Sequence, residues 1–271
     1  MKTVKVLTIA GSDPSGGAGV QADLKTITVL GGFGMSVITA LTAQNSLGVM
    51  GICEVTPDFV RMQFEAVLTD MGVDAAKTGM LGGIDVLRTV AADIRKYRIE
   101  KVVVDPVMLA KDGSPLLRGD FKEIMIQDLI PAAFVVTPNI PEAEVLTGIS
   151  IASVRDMEKA AKIIFGFGAR HVVVKGGHHT GDAVDVLYDG KEIQLFSSPR
   201  IDQKAVHGTG CAFSAAIATF LASGKTVHES VMSAKDYIAE CIKHSFRVGN
   251  GSRMINHSVA ISKTFDEGAA G

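Results

Sequence analysis

Hydrophobic positions along this chain alternate between short, nearly continuous apolar runs and longer stretches with helical spacing. Val4–Ala10 is such a run, and Ala18–Leu30 follows with Val20, Leu24 and Ile27 on one face and Gln21, Asp23 and Lys25 between them. Met35–Leu41 and Gly48–Val55 read as strands, and Pro57 opens a helix carried by Phe59, Val60, Phe64, Val67 and Leu68. The pattern continues with strand Val73–Thr78, helix Ile84–Tyr97, strand Lys101–Val104, helix Phe121–Leu129 and strand Phe134–Thr137. A helix from Glu142, another over Val154–Phe167 and strand His171–Lys175 come next. Val184–Tyr188 and Glu192–Phe196 form a hairpin through Asp189-Gly190. Helices over Gly210–Leu221 and Val227–His244 close the pattern, and periodicity fades from Gly249 to Gly271, where a frayed tail is expected.

Such alternation predicts an α/β fold, with a central mostly parallel sheet flanked by helices on both faces. No composition break or linker divides the 271 residues, so one domain over 1–271 is expected. Ligands of open α/β sheets bind outside the carboxyl ends of the strands, which makes the residues after each strand the candidates. They are Gly11-Ser12-Asp13 with Gly16, Gly17 and Gly19, then Thr42-Ala43-Gln44-Asn45, Gly79-Met80 and Asp105-Pro106-Val107-Met108. Pro138-Asn139, Lys175-Gly176-Gly177-His178 and His207-Gly208-Thr209-Gly210-Cys211 complete them.

Composition narrows the chemistry. Lys and Arg number 27 against 29 Asp and Glu, a net charge of −2, so the basic excess of a nucleic-acid binder is missing. No apolar run has the length of a membrane span, and the first ten residues lack the pattern of a signal peptide. Three widely spaced cysteines exclude a disulfide scaffold and disfavour structural zinc, so a cytoplasmic protein is expected.

Both glycine-rich segments sit at strand-to-helix turns, where backbone N–H groups and the helix dipole receive anions. Neither fits the P-loop spacing, and G-x-G-x-x-G is absent after the first strand, which disfavours a dinucleotide. Cys211 opens a helix, where the dipole is expected to lower its pKa; the alternative is a small core filler. Lys175 can reach a phosphate or be an ordinary solvated lysine. Asp105, Asn139 and Glu142 can hold Mg²⁺ directly or through water, while Asn139 and Glu142 also read as a helix-start cap.

Thr8 to Lys25, Thr39 to Asn45, Lys77 to Leu81, Asp105 to Met108, Thr137 to Ala143, Lys175 to His178 and His207 to Cys211 together closely resemble the hydroxymethylpyrimidine/phosphomethylpyrimidine kinases of thiamine biosynthesis. The resemblance covers about residues 4–248 in order. It implies a ribokinase-like fold and ATP-dependent phosphorylation of the pyrimidine's hydroxymethyl group, then of the monophosphate. It further implies that Gly208, Thr209 and Gly210 form an anion hole and that Cys211 is the base. Asn139 and Lys175 would contact ATP phosphates, Asp105 and Glu142 would arrange Mg²⁺ and its water, and K⁺ is a possible further cofactor. Gly11, Asp23, Gln44, Met80 and Val107 would line the ring pocket. Many members carry Glu where Gln44 stands. A homodimer is implied as well. A pyridoxal kinase is the rival within the fold, and a cysteine hydrolase using Cys211 with His207 or His178 is the rival from another class.

Overall fold

A nine-stranded sheet in the order β3-β2-β1-β4-β5-β6-β7-β8-β9 organises the chain. Its strands are β1 Lys5–Ser12, β2 Phe33–Gln44, β3 Val49–Glu54, β4 Ala75–Thr78, β5 Val102–Val104, β6 Val135–Val136, β7 Val172–Val174, β8 Ala183–Tyr188 and β9 Ile193–Ser198. The computed structural model describes residues 3–108, 120–177, 182–201 and 206–259. Strands β2, β1, β4, β5, β6 and β7 run parallel. Antiparallel pairing appears only toward the edges, at β2–β3 and through β7–β8–β9.

Side chains alternate across the central strands, so each strand feeds two cores. On one face Leu7, Ile9, Ala76 and Val104 pack under α2 (Pro57–Leu68), α3 (Ile84–Lys96), α5 (Ile140–Thr147) and α6 (Val154–Phe165). On the other, Val6, Val103, Val135 and Val173 meet α1 (Gly19–Val29), α7 (Thr209–Ala222) and α8 (Val227–Lys243). Among the described residues no helix is long and apolar enough to cross a membrane.

Three departures from the sequence reading have physical causes. The helix expected over Phe121–Leu129 is a short α4 (Phe121–Ile124) that widens to a π-turn at Met125–Leu129 and tightens to a 3₁₀ turn at Ile130–Ala132. Pro131 has no N–H to continue the α ladder, and its ring would crowd the carbonyl four residues back. Strand β2 runs past Leu41 to Gln44 because β3 pairs with it as far as Gln44↔Val49, so Gln44 ends a strand instead of following one. The tail expected to fray from Gly249 is instead anchored: β11 (Arg253–Met254) pairs with β10 (Val206–His207), and Met254, Ile255 and Val259 are buried. The rest of that tail lies outside the described residues.

Candidate active site

The carboxyl ends of β1, β4, β5, β6 and β7 lie along one edge of the sheet, where an open α/β fold forms its binding crevice, with the order switching at β1 between β2 and β4. Asp105 follows β5 and Lys175 follows β7; the Lys175 ammonium donates to Asp105 Oδ1 at 2.8 Å. Asp105 is 3% exposed, while the Lys175 side chain keeps 14%, so the pair is buried with its cation facing the opening. Burial would strip the Lys175 proton, but the charges of Asp105 and Glu142 hold it on. A Cβ on Gly210 would lie 3.4 Å from the Lys175 Nζ, so the first turn of α7 rides directly over this pair.

Asn139 and Glu142 form a reciprocal capping box. The Glu142 N–H donates to Asn139 Oδ1 at 2.9 Å, and the Asn139 N–H donates to Glu142 Oε2 at 2.8 Å. The capping role anticipated from the sequence is thus present, and it also delivers Glu142 to the crevice. The Glu142 carboxyl is held up at about 7: burial is the chief cause, Lys175 opposes it and Asp105 adds to it. A carboxyl with a raised folded pKa holds its proton longer than the unfolded chain does. Its effect is therefore to lower stability as pH rises from the unfolded value of about 4.3 through about 7. Glu142→Gln keeps the cap acceptor and should flatten that part of the pH–stability curve, measured by thermal unfolding between pH 5 and 8. An unchanged slope would remove Glu142 as its source.

The two glycine-rich segments meet backbone to backbone. Gly208 has φ +90°, and a Cβ there would come within 2.0 Å of the Gly17 carbonyl oxygen. Helix α7 begins without any side-chain cap, so the first-turn N–H groups of Thr209, Gly210 and Cys211 have no intrahelical or capping partner. Cys211 sits in this turn, partly exposed. Its thiol differs from the sequence expectation: the pKa is pushed up to about 11. Burial is the chief cause, Lys77 opposes it, and Asp23 and Asp105 add to it. Desolvation and two nearby carboxylates outweigh Lys77 and the N–H of Gly19.

The residues expected around a ring cluster less evenly. The Gly11 N–H donates to the Met80 carbonyl at 3.0 Å, and a Cβ on Gly11 would come within 2.5 Å of the Met80 methyl, so these two are packed together. Val107 follows Asp105, its N–H on the Asp105 carbonyl at 2.8 Å. Gln44 reaches across to His207, 3.2 Å between Nε2 atoms. Asp23 lies deeper, with no exposed surface and its carboxylate oxygens 3.1 and 2.8 Å from the Lys77 ammonium. It acts through charge from beneath and presents no atom to the opening.

Lys77 is the residue that sequence reasoning passed over. It is opposite Thr8 in the β1–β4 register, wholly buried, and close enough to bear on the Cys211 thiol. A lysine within the short strand, directly after Ala75-Ala76, was the available signal. His207 is turned to Asp13 Oδ2 at 3.2 Å and to Gln44, while Lys77, Asp23 and Asp105 are the charged groups that act on Cys211. A hydrolase with His207 as base loses its footing there, and His178 lies outside the described residues.

A family model described as phosphomethylpyrimidine kinase matches residues 13–256. The chain is 45% identical to the hydroxymethylpyrimidine/phosphomethylpyrimidine kinase of Bacillus subtilis, covering 95% of this chain and 96% of that one. It is 49% identical to the thiamine biosynthesis bifunctional protein ThiED of Geobacter sulfurreducens, covering 96% of this chain but only 54% of that longer protein. The fold superposes on an ADP complex of Bacillus subtilis pyridoxal kinase with a TM-score of 0.90 at 40% identity, over 96% of this chain and 99% of that one.

Proposed function

The chain belongs to the phosphomethylpyrimidine kinase family, of ribokinase-like fold, and from that premise we propose that it transfers the terminal phosphoryl group of ATP to a hydroxymethylpyrimidine and then to its monophosphate. The observation that carries this reading is the convergence of the Lys175–Asp105 pair, Glu142 and the uncapped N–H groups of α7 on one crevice. Lys175 and Asn139 meet the ATP phosphates. The amides of Gly208, Thr209, Gly210 and Cys211 receive the charge that develops on the group in transit.

In the transfer, the bond from the γ-phosphorus to its bridging oxygen breaks, the hydroxymethyl oxygen bonds to that phosphorus, and ADP leaves. The hydroxyl proton passes to the Cys211 sulfur in its thiolate form, with Lys77 offsetting the thiolate charge until transfer. Mg²⁺ neutralises phosphate charge when bound. Asp105 and Glu142 suit an ion held mainly by phosphates and water, since Asp105 Oδ1 is engaged by Lys175 and Glu142 Oε2 by the Asn139 N–H. Among the described residues no three metal-binding side chains cluster. K⁺ is a candidate activator, to be read from activity in K⁺ against Na⁺ buffers.

Pyridoxal is the second substrate considered, because the fold superposes so closely on a pyridoxal kinase. An ATP-coupled assay with hydroxymethylpyrimidine, its monophosphate and pyridoxal side by side tests the proposal. The two pyrimidines should give the higher kcat/KM. Turnover of pyridoxal alone would transfer the assignment to the second reading, and no ATP use with any of the three would end both. We further propose a cytoplasmic homodimer of single-domain subunits. Val49, Met50 and Ile52 stand exposed on the edge strand β3, and Leu41 on the neighbouring β2, so this edge of the sheet is apolar on its outside and is what a second copy would cover. A monomeric mass by light scattering would remove the dimer.

A further inference from the structure

We propose that His207, held by Asp13, is a positioning residue that fixes which end of the Gln44 side-chain amide the substrate ring meets. The inference rests on the reading above in which Gln44 faces the ring.

His207 is locked before any substrate arrives. It pairs with Met254 between β10 and β11, and its ring packs against Gly17, where a Cβ would come within 2.5 Å of the ring's Cδ2. Its Nε2 sits 3.2 Å from Asp13 Oδ2. The Asp13 carboxyl also accepts the N–H of Ser15 on Oδ1 at 2.9 Å and the N–H of Ala18 on Oδ2 at 2.8 Å. Burial would raise its pKa, but these bonds and the one from His207 hold it at about 2. An ionised carboxylate only accepts, so the shared proton belongs to His207 Nε2.

That assignment constrains Gln44. The same Nε2 lies 3.2 Å from the nitrogen of the Gln44 amide, and two donors cannot share one contact. A half-turn of the amide resolves the conflict by bringing Oε1 to His207, whose single Nε2–H is then shared between Asp13 Oδ2 and Gln44 Oε1 as a three-centre bond. The amide nitrogen then lies at Thr42 Oγ1, the hydroxyl now 3.4 Å from the amide oxygen. Thr42 already donates its proton to the Ser12 carbonyl at 3.0 Å, so its oxygen is free to accept. In this sense each contact of the chain Asp13–His207–Gln44–Thr42–Ser12 sets a donor against an acceptor, and in the reverse sense the His207–Gln44 and Gln44–Thr42 contacts do not.

An amide held in one sense offers the ring a fixed order of donor and acceptor. It matches a ring nitrogen beside an amino group and opposes an N–H beside an oxo group, the same logic by which Gln reads adenine. Released, the amide can turn to suit either ring.

The test is the ratio of kcat/KM for the aminopyrimidine to that for its 4-oxo analogue. His207→Phe keeps an aromatic ring against Gly17 but loses the N–H, and it should reduce this ratio about tenfold with the KM for ATP unchanged. His207→Gln retains an N–H donor and should restore much of it. An undiminished ratio in His207→Phe overturns the proposal, provided Gln44→Ala lowers it. If Gln44→Ala also leaves the ratio unchanged, the ring contact itself is what fails. Nitrogen NMR of the unmodified protein supplies a measurement independent of folding in the variants. It should find the His207 proton on Nε2, and a proton on Nδ1 alone would overturn the proposal.

Discussion

Cys211→Ala is expected to lower kcat by about two to three orders of magnitude, the usual contribution of a positioned base, with ATP binding retained. The retained binding follows from the site's construction: Lys175, Asn139 and the α7 amides do not depend on the thiol side chain. The pKa of about 11 adds a second expectation. Below that value the thiolate fraction grows tenfold per pH unit, so log kcat/KM should climb with a slope near one from about pH 6.5 to 9. Cys211→Asp would supply a base already ionised there and should flatten the climb. Near-normal turnover in the alanine variant would remove the base role. An equal slope in wild type and Cys211→Asp would locate the titrating group elsewhere.

Lys77→Met is expected to be the most destabilising single substitution near the site. Lys77 and Asp23 are both wholly buried and bonded through two contacts of 2.8 and 3.1 Å. Burial would drive the proton off Lys77, but the charges of Asp23 and Asp105, joined by Cys211 when it is a thiolate, keep it on, so its ordinary pKa is exceeded. Removing the cation leaves a buried carboxylate with only the Thr8 hydroxyl as a hydrogen-bond donor and Asp105 repelling it, which costs about 3–5 kcal/mol. Removing both charges need not, because desolvation of the pair nearly balances its attraction. Lys77→Met with Asp23→Asn should therefore recover much of the loss in urea unfolding. A Lys77→Met variant within about 1 kcal/mol of wild type would contradict the unpaired-charge account. Activity should fall in both variants, since the Cys211 thiolate loses its offsetting charge in each.

Local sequence patterns carried most of the fold. The Val-rich runs at 102–104 and 172–174 could only be strands buried on both faces, and the Asp189-Gly190 turn set the β8–β9 hairpin with Tyr188 opposite Ile193. The Asn139-x-x-Glu142 spacing announced a helix start that is present. The identity of the strand-end residues was also readable, because turns into helices are punctuated by glycine, proline and asparagine whose backbone needs are local.

What the chain's one-dimensional order could not reveal is which distant residues touch and how deep they lie. Asp105 and Lys175, seventy positions apart, become one ion pair only because β5, β6 and β7 lie side by side. Lys77 looked like any strand lysine until α1 placed Asp23 over it. Cys211 at a helix start suggested an acidified thiol, yet burial reversed the sign, and burial is a property of the packed whole. Secondary structure follows from neighbours in sequence; ionisation and partnership follow from neighbours in space, and those exist only once the sheet has assembled.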